Sequence, residues 1–177
     1  TEEDRVNALK LILKNAVPNP EILKTILDLI PKDQRLAAIK EKDFFGSSIL
    51  IYAVSNPASL AMILDLYPTH EARIQAIHGK DNFGCSILSL AASHPASLKM
   101  MLNLYPTHEE RIQAIEEKDN LGPAILRNAA SNPSCLKIIL DIYPTNEARI
   151  HAIEQKDNQG KSISVSYTHL RAHETRE

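Results

Sequence analysis

The chain has 177 residues and a formal net charge of −2 at pH 7, with 20 basic and 22 acidic side chains. This mixed charge lacks the positive excess that attracts nucleic acids or acidic membranes, and no apolar run has the length of a membrane span, so we expect neither as a partner. Two cysteines, Cys85 and Cys135, do not indicate a disulfide framework or a zinc site.

A Lys-Asp-x-x-Gly motif recurs along the chain. Its glycines, at positions 46, 84, 122 and 160, are 38 residues apart. A fixed period of about 20–50 residues is typical of a solenoid built from one stacked supersecondary unit. The period divides the chain into a degenerate repeat at 1–42, full repeats at 43–80, 81–118 and 119–156, and the start of a truncated repeat at 157–163.

Each repeat begins with a predicted turn and a first helix. The turn is predicted because an Asp side chain accepts hydrogen bonds from nearby backbone N–H groups and Gly adopts positive φ. In the repeat at 81–118, the first helix is predicted over 86–93, with small alanines that permit close packing. The Ser-x-Pro sequence ending at Pro95 then stops this helix, and the proline suits the first turn of the next one.

Two further helices are predicted in each repeat. Leu60, Ile63, Leu64 and Tyr67 have the i, i+3, i+4, i+7 spacing of a buried helical face. Threonines after Tyr-Pro are candidate N-caps for a short third helix, and Thr107 with Glu110 has the spacing of a capping box. The sequence therefore predicts an all-α fold, a helical-repeat solenoid whose units are joined by short turns or β-hairpin-like loops.

The order of turn and helices, with Asp-x-x-Gly-x-Ser-x-Leu-x-x-Ala, resembles the ankyrin repeat. Ser86, Leu88 and Ala91 stand where the ankyrin motif has Thr, Leu and Ala. The unit is 38 residues long instead of about 33, and the extra length is the third helix. It is similar to the long, divergent ankyrin-like repeats of intracellular bacteria, in which such arrays bind host proteins. The resemblance implies an ankyrin-like array in the cytoplasm, or one delivered into a host cell.

Positions that vary between repeats are the candidates for partner binding, because repeated positions build the scaffold. The ankyrin resemblance implies that turn tips and first helices line a concave binding face. Aromatic, apolar and Arg side chains at such positions are typical of interaction hot spots. The candidates are Phe44, Phe45, Tyr52, Phe83, Leu121 and Arg127. The alternative is that Phe45, Phe83 and Leu121 pack between adjacent turns.

The basic residues form two ladders along the repeats, Arg35, Arg73, Arg111 and Arg149, and Lys42, Lys80, Lys118 and Lys156. One interpretation is an anion-binding stripe. The other is structural: each Arg pairs with a nearby carboxylate, such as Glu71 or a turn aspartate, and covers apolar surface with its stem. We favour the structural interpretation, because recurrence in every repeat suggests a role in building the unit.

No pattern in the sequence indicates catalysis or metal binding. The histidines lack a cysteine or carboxylate cluster that would complete a metal site, and no nucleophile, base and oxyanion donor are combined. We therefore expect no catalytic residue, no metal and no cofactor, and we predict a protein–protein interaction scaffold that is not an enzyme. The alternative is a substrate-recruiting module of a larger enzyme or bacterial effector whose catalytic domain lies outside this sequence.

The repeat pattern stops after Ile163. Residues 164–177 resemble a translated sequencing adaptor, with the match running from Val165 to Glu174, and the alternative is a natural polar cap. Because the chain also begins at Thr1 without Met, we interpret it as a fragment from bulk metagenomic sequencing, cut at both ends. Uncapped repeat ends expose apolar surface, so we expect some self-association.

Overall fold

The computed structural model describes residues 2–119, 122–156, 160 and 162. These residues form an all-α protein of twelve helices with one pair of two-residue strands, which confirms the predicted fold class at that level. The chain divides into two compact units, Thr1–Ile87 and Leu88–Glu177. No helix in the described part of the chain is both long and apolar enough to traverse a bilayer.

The first unit contains six helices. They are α1 (Glu2–Ala16), α2 (Pro20–Leu29), α3 (Lys32–Lys40), α4 (Ile49–Ala53), α5 (Pro57–Leu64) and α6 (His70–Ile77). Helix α1 contacts α2, α3 and α4, and α2 contacts α5. Helices that hold the same place in successive repeats, such as α2 and α5, therefore pack against each other within this unit.

The second unit begins inside a helix and contains the only regular strand pair of the described residues. Its elements are α7 (Ile87–Ala91), which starts one residue before the division, α8 (Pro95–Leu102), α9 (His108–Glu116), β1 (Lys118–Asp119), β2 (Gly122–Pro123), α10 (Ala124–Ala129), α11 (Pro133–Leu140) and α12 (Asn146–Glu154). Strands β1 and β2 are antiparallel, with Lys118 opposite Pro123. Helix α10 contacts α9 and α11, and α11 contacts α8.

The second helices of the repeats begin at prolines 38 residues apart, as the sequence predicts. Pro57, Pro95 and Pro133 are the first residues of α5, α8 and α11. An asparagine precedes α2, α5 and α11, and its side-chain oxygen accepts hydrogen bonds from backbone N–H groups in the first turn. His94 replaces this asparagine before α8 and makes no side-chain cap.

The third helices have the predicted threonine caps. Thr69, Thr107 and Thr145 each accept a hydrogen bond from the backbone N–H three residues later. Thr107 and Glu110 form the predicted capping box, with both reciprocal bonds at 3.2 Å. These caps satisfy N–H groups that a helix leaves without intrahelical partners, so local sequence is sufficient to locate the starts of these helices.

Helix ends differ from the predictions. Helix α7 covers Ile87–Ala91, shorter than the predicted 86–93. The N–H groups of Ala92 and Ser93 bond the carbonyls of Ser89 and Leu90, three residues back, so the chain tightens into a 3₁₀-type turn. The predicted second helix likewise extends too far, because α5 ends at Leu64 and only a turn carries the chain to Tyr67.

The predicted apolar face of the second helix is buried. Leu60, Ile63, Leu64 and Tyr67 are each 5% exposed or less. Burial of one such side chain contributes about 1.5–3 kcal/mol, so this face is a principal source of stability in the first unit. The corresponding side chains in the second unit, Leu98, Met101, Leu102 and Tyr105, are also buried.

One position of the second helix holds a small, fully buried side chain in each repeat. Ser59, Ser97 and Cys135 are all 0% exposed. The Ser59 hydroxyl donates a 2.6 Å hydrogen bond to the carbonyl of Val17. Cys135 is a free thiol, and burial raises its pKa. Cys135 is therefore a small packing residue, as its alignment with the two serines predicts.

Candidate functional site

The candidate site begins with the turn at 43–47. The Asp43 carboxylate accepts hydrogen bonds from the backbone N–H groups of Phe45 and Ser47, at 2.9 and 3.0 Å. Gly46 has φ of +73°, a conformation that glycine adopts without steric cost. The next turn repeats this geometry, with Asp81 bonded to the N–H groups two and four residues later. Both turns therefore have a base in which the aspartate carboxylate is hydrogen-bonded to the backbone.

The two turns are bonded directly to each other. The backbone N–H of Asn82 donates to the Phe45 carbonyl at 3.0 Å, and its side-chain amide donates to the Phe44 carbonyl at 3.2 Å. A Cβ added at Gly46 would lie 2.3 Å from the Asn82 side-chain oxygen. Gly46 is therefore required both for its backbone conformation and for the close approach of Asn82.

The turn tips carry an exposed cluster of rings, which we call the aromatic surface: Phe44, Phe45 and Phe83. These are the three phenylalanines of the chain, and they are 91%, 51% and 69% exposed. Phe44 meets Phe45 edge-to-face at 5.7 Å between centroids, and Phe45 stacks on Phe83 at 6.3 Å. The rings thus touch across adjacent turns, as one interpretation of the sequence held, yet each leaves at least half of its surface in solvent.

Tyr52, a candidate on the first helix, contacts the base of the turn. Its hydroxyl donates to the Asp43 carboxylate, and the Lys14 ammonium lies 4.0 Å from the centroid of its ring. Burial alone raises the pKa of Asp43, but hydrogen bonds from Tyr52, Ser47 and Phe45 outweigh burial and hold that pKa below its ordinary value. Tyr52 therefore fixes the turn that presents the aromatic surface.

Arg127 makes the corresponding contact in the second unit. Its guanidinium binds the Asp119 carboxylate through two hydrogen bonds, at 2.6 and 3.2 Å. Leu121, the remaining candidate, lies outside the described residues. The sequence predicts Tyr52 and Arg127 only as partner contacts and does not reveal that both bind the turn aspartate of their own repeat. The available signal was an aspartate eight or nine residues earlier on the same repeat.

A cleft opens beside Phe44 in the first unit. It has a volume of about 490 Å³, and α1, the end of α3 and the turn at 43–47 line it. Its apolar wall includes Leu11, a leucine 59% exposed to solvent, together with Leu13 and Ile49. Sequence reasoning did not find Leu11, because α1 precedes the aligned repeats. The cleft places an apolar pocket next to the aromatic surface.

The arginine ladder has a structural role in the described residues. Arg35, Arg111 and Arg149 donate from Nε to a backbone carbonyl that follows the second helix of their repeat, at 3.0–3.3 Å. Arg35 also pairs with Asp28 near the end of α2, and Arg73 pairs with Asp65 near the end of α5. These carboxylates differ from the predicted ones, Glu71 and the turn aspartates, because the arginine points back toward the preceding helix.

No group of three or more His, Cys, Asp or Glu side chains is placed to hold a metal ion in the part of the chain that the structure describes. No protein-family model matches the chain, and no curated protein matches it. The surfaces of the chain itself therefore carry the inference about its function.

Proposed function

We propose that this chain is a protein-interaction module, an ankyrin-like array of 38-residue repeats that binds a protein partner through the aromatic surface. The observation that carries the proposal is the exposure of Phe44, Phe45 and Phe83, at 51–91%, in one contiguous cluster. Phenylalanine is usually buried, and an exposed apolar patch is a common mark of an interaction site. Covering one such ring with a partner contributes about 1.5–3 kcal/mol to binding before the cost of association.

The hydrogen bonds that hold the turns support this proposal. Asp43 holds the turn backbone, Tyr52 holds Asp43, and Asn82 bonds the adjacent turn. A surface that is already ordered loses little conformational entropy on binding, so more of the contact energy appears as affinity. The apolar cleft beside Phe44 offers room for a side chain of the partner.

The recurrence of the helices supports the ankyrin-like array. The elements recur with the 38-residue period of the sequence. Their order is a turn, a short first helix, a second helix that begins at proline and a third helix capped by threonine. In the first unit α2 packs on α5, and in the second unit α8 packs on α11. Contacts between equivalent helices of neighbouring repeats are the basis of a solenoid.

A random-peptide phage library selected on the full chain tests the proposed binding surface. We expect the selected peptides to be rich in apolar residues and to lose binding to the double variant Phe45→Asp/Phe83→Asp. Circular dichroism should show an unchanged helical content, because both rings are exposed.

Ile22→Asp is the matched control, because Ile22 is 51% exposed, like Phe45, but lies on α2. This variant should retain the selected peptides. Equal binding of those peptides to the double variant and to the unchanged chain would show that the aromatic surface is not the binding site.

A further inference from the structure

A second cleft in the first unit includes Gly46 of the turn at 43–47, and the charged residues that line it are lysines. Its volume is about 310 Å³. The polar side chains that line it belong to Lys40, Lys42, Ser48, Tyr67, Gln75 and Lys80. Among the described residues, no aspartate or glutamate lines this cleft. The charged side chains along this lining are therefore lysines, and an anion is the class of ligand that such a lining attracts.

The backbone and the helices hold two of these lysines in place. Lys42 donates a 3.2 Å hydrogen bond to the backbone carbonyl of Lys80, which ties the starts of two successive repeats together. Lys40 is the last residue of α3, and its ammonium lies 5.6 Å from the centroid of the Tyr67 ring. The positive charge is thus built into the cleft by the packing of α3 against the turn and Tyr67.

The second unit shows what occupies the equivalent place in another repeat. Glu116, the last residue of α9, stands two periods after Lys40, and Tyr143 stands two periods after Tyr67. The Tyr143 hydroxyl donates to the Glu116 carboxylate at 3.4 Å. A carboxylate therefore fits beside this tyrosine, and in the second unit the chain supplies it.

In the first unit the chain supplies a cation at that position. An ammonium group donates hydrogen bonds and accepts none, so Lys40 cannot accept a hydrogen bond from the Tyr67 hydroxyl. Burial raises the pKa of Tyr67, and its hydroxyl therefore stays protonated and able to donate at neutral pH. The cleft thus combines a hydroxyl donor with the Lys40 ammonium, which together complement a carboxylate.

We propose that this cleft binds the carboxylate side chain of an acidic segment in the protein partner. Lys40 supplies the positive charge, and Tyr67 and Gln75 supply hydrogen-bond donors. The inference rests on the proposed function and sharpens it: the partner carries an acidic residue beside the apolar residues that contact the aromatic surface. The test uses a probe without aromatic groups, so the two proposals fail separately.

The test is an NMR titration of the ¹⁵N-labelled full chain with capped hexaglutamate in a phosphate-free buffer. We expect the largest amide shifts at Ser48, Gln75 and Gly79, and weaker binding as salt is raised. Lys40→Glu installs the residue that the second unit has at this place, so the fold accommodates it, and binding should weaken about tenfold. Lys40→Gln should weaken it less.

Lys99→Glu makes the same change of net charge at an exposed position on α8 and should bind as the unchanged chain does. Equal weakening by Lys99→Glu and Lys40→Glu, or equal shifts with capped hexaglutamine, would overturn the proposal. Tighter binding of inorganic phosphate than of hexaglutamate at the same amides would overturn the choice of a carboxylate. Retention of hexaglutamate by Phe45→Asp/Phe83→Asp supports a cleft that acts independently of the aromatic surface.

Discussion

At the residue scale, one aspartate per repeat organises the candidate site. Asp43 bonds two backbone N–H groups of its turn and accepts the Tyr52 hydroxyl, while Asp119 binds the Arg127 guanidinium. The aspartate is common to the repeats, whereas the side chain that binds it changes from Tyr52 to Arg127. A position can therefore differ between repeats because different side chains bind the turn aspartate, and not only because it contacts a partner.

Gly46→Ala should lower the free energy of unfolding by about 2 kcal/mol, because alanine is strained at φ of +73° and its Cβ would meet the Asn82 side chain. Urea denaturation measures the change. The cost should be smaller in an Asn82→Ala background, where the obstructing amide is removed. An equal cost in both backgrounds would contradict the turn-to-turn contact.

At the element scale, the helices repeat their capping chemistry with one exception. Asn19, Asn56 and Asn132 cap the second helices of their repeats, but His94 leaves α8 without a side-chain cap. A helix start without such a cap leaves N–H groups to weaker partners. Among the second helices, α8 therefore has the first turn whose backbone N–H groups are least well hydrogen-bonded.

His94→Asn should therefore stabilise the chain by about 0.5–1 kcal/mol, by supplying the oxygen that Asn132 supplies before α11. The urea midpoint should rise without a change in the denaturant slope. Asn132→His is the reverse control and should lower the midpoint. An unchanged or lowered midpoint for His94→Asn would contradict the cap assignment.

Prediction from sequence succeeds here where the determinants are local. Threonine caps, proline starts and the positive φ of Gly46 and Gly84 depend on a few adjacent residues, so each was predictable. The ends of α5 and α7 were not, because a 3₁₀-type turn and a continued helix have the same apolar pattern. The hydrogen bond from Tyr52 to Asp43 and the cationic cleft depend on side chains that packing brings together. A single sequence does not reveal such contacts.

At the scale of the whole molecule, the features proposed to bind a partner all lie in the first compact unit, Thr1–Ile87. The aromatic surface, the apolar cleft and the cationic cleft each include residues of one turn, at 43–47. The second unit has the same helical plan, but Glu116 occupies the position of Lys40. The repeats thus share a scaffold, while the proposed binding chemistry belongs to the first unit.

The most direct test of the central claim is isothermal titration calorimetry of the strongest library-selected peptide against Phe83→Ala and Ile22→Ala. If the aromatic surface binds the partner, Phe83→Ala should raise Kd about tenfold or more, the loss expected for an aromatic hot spot, while Ile22→Ala leaves Kd unchanged. An unchanged Kd for Phe83→Ala in a folded protein would contradict the account.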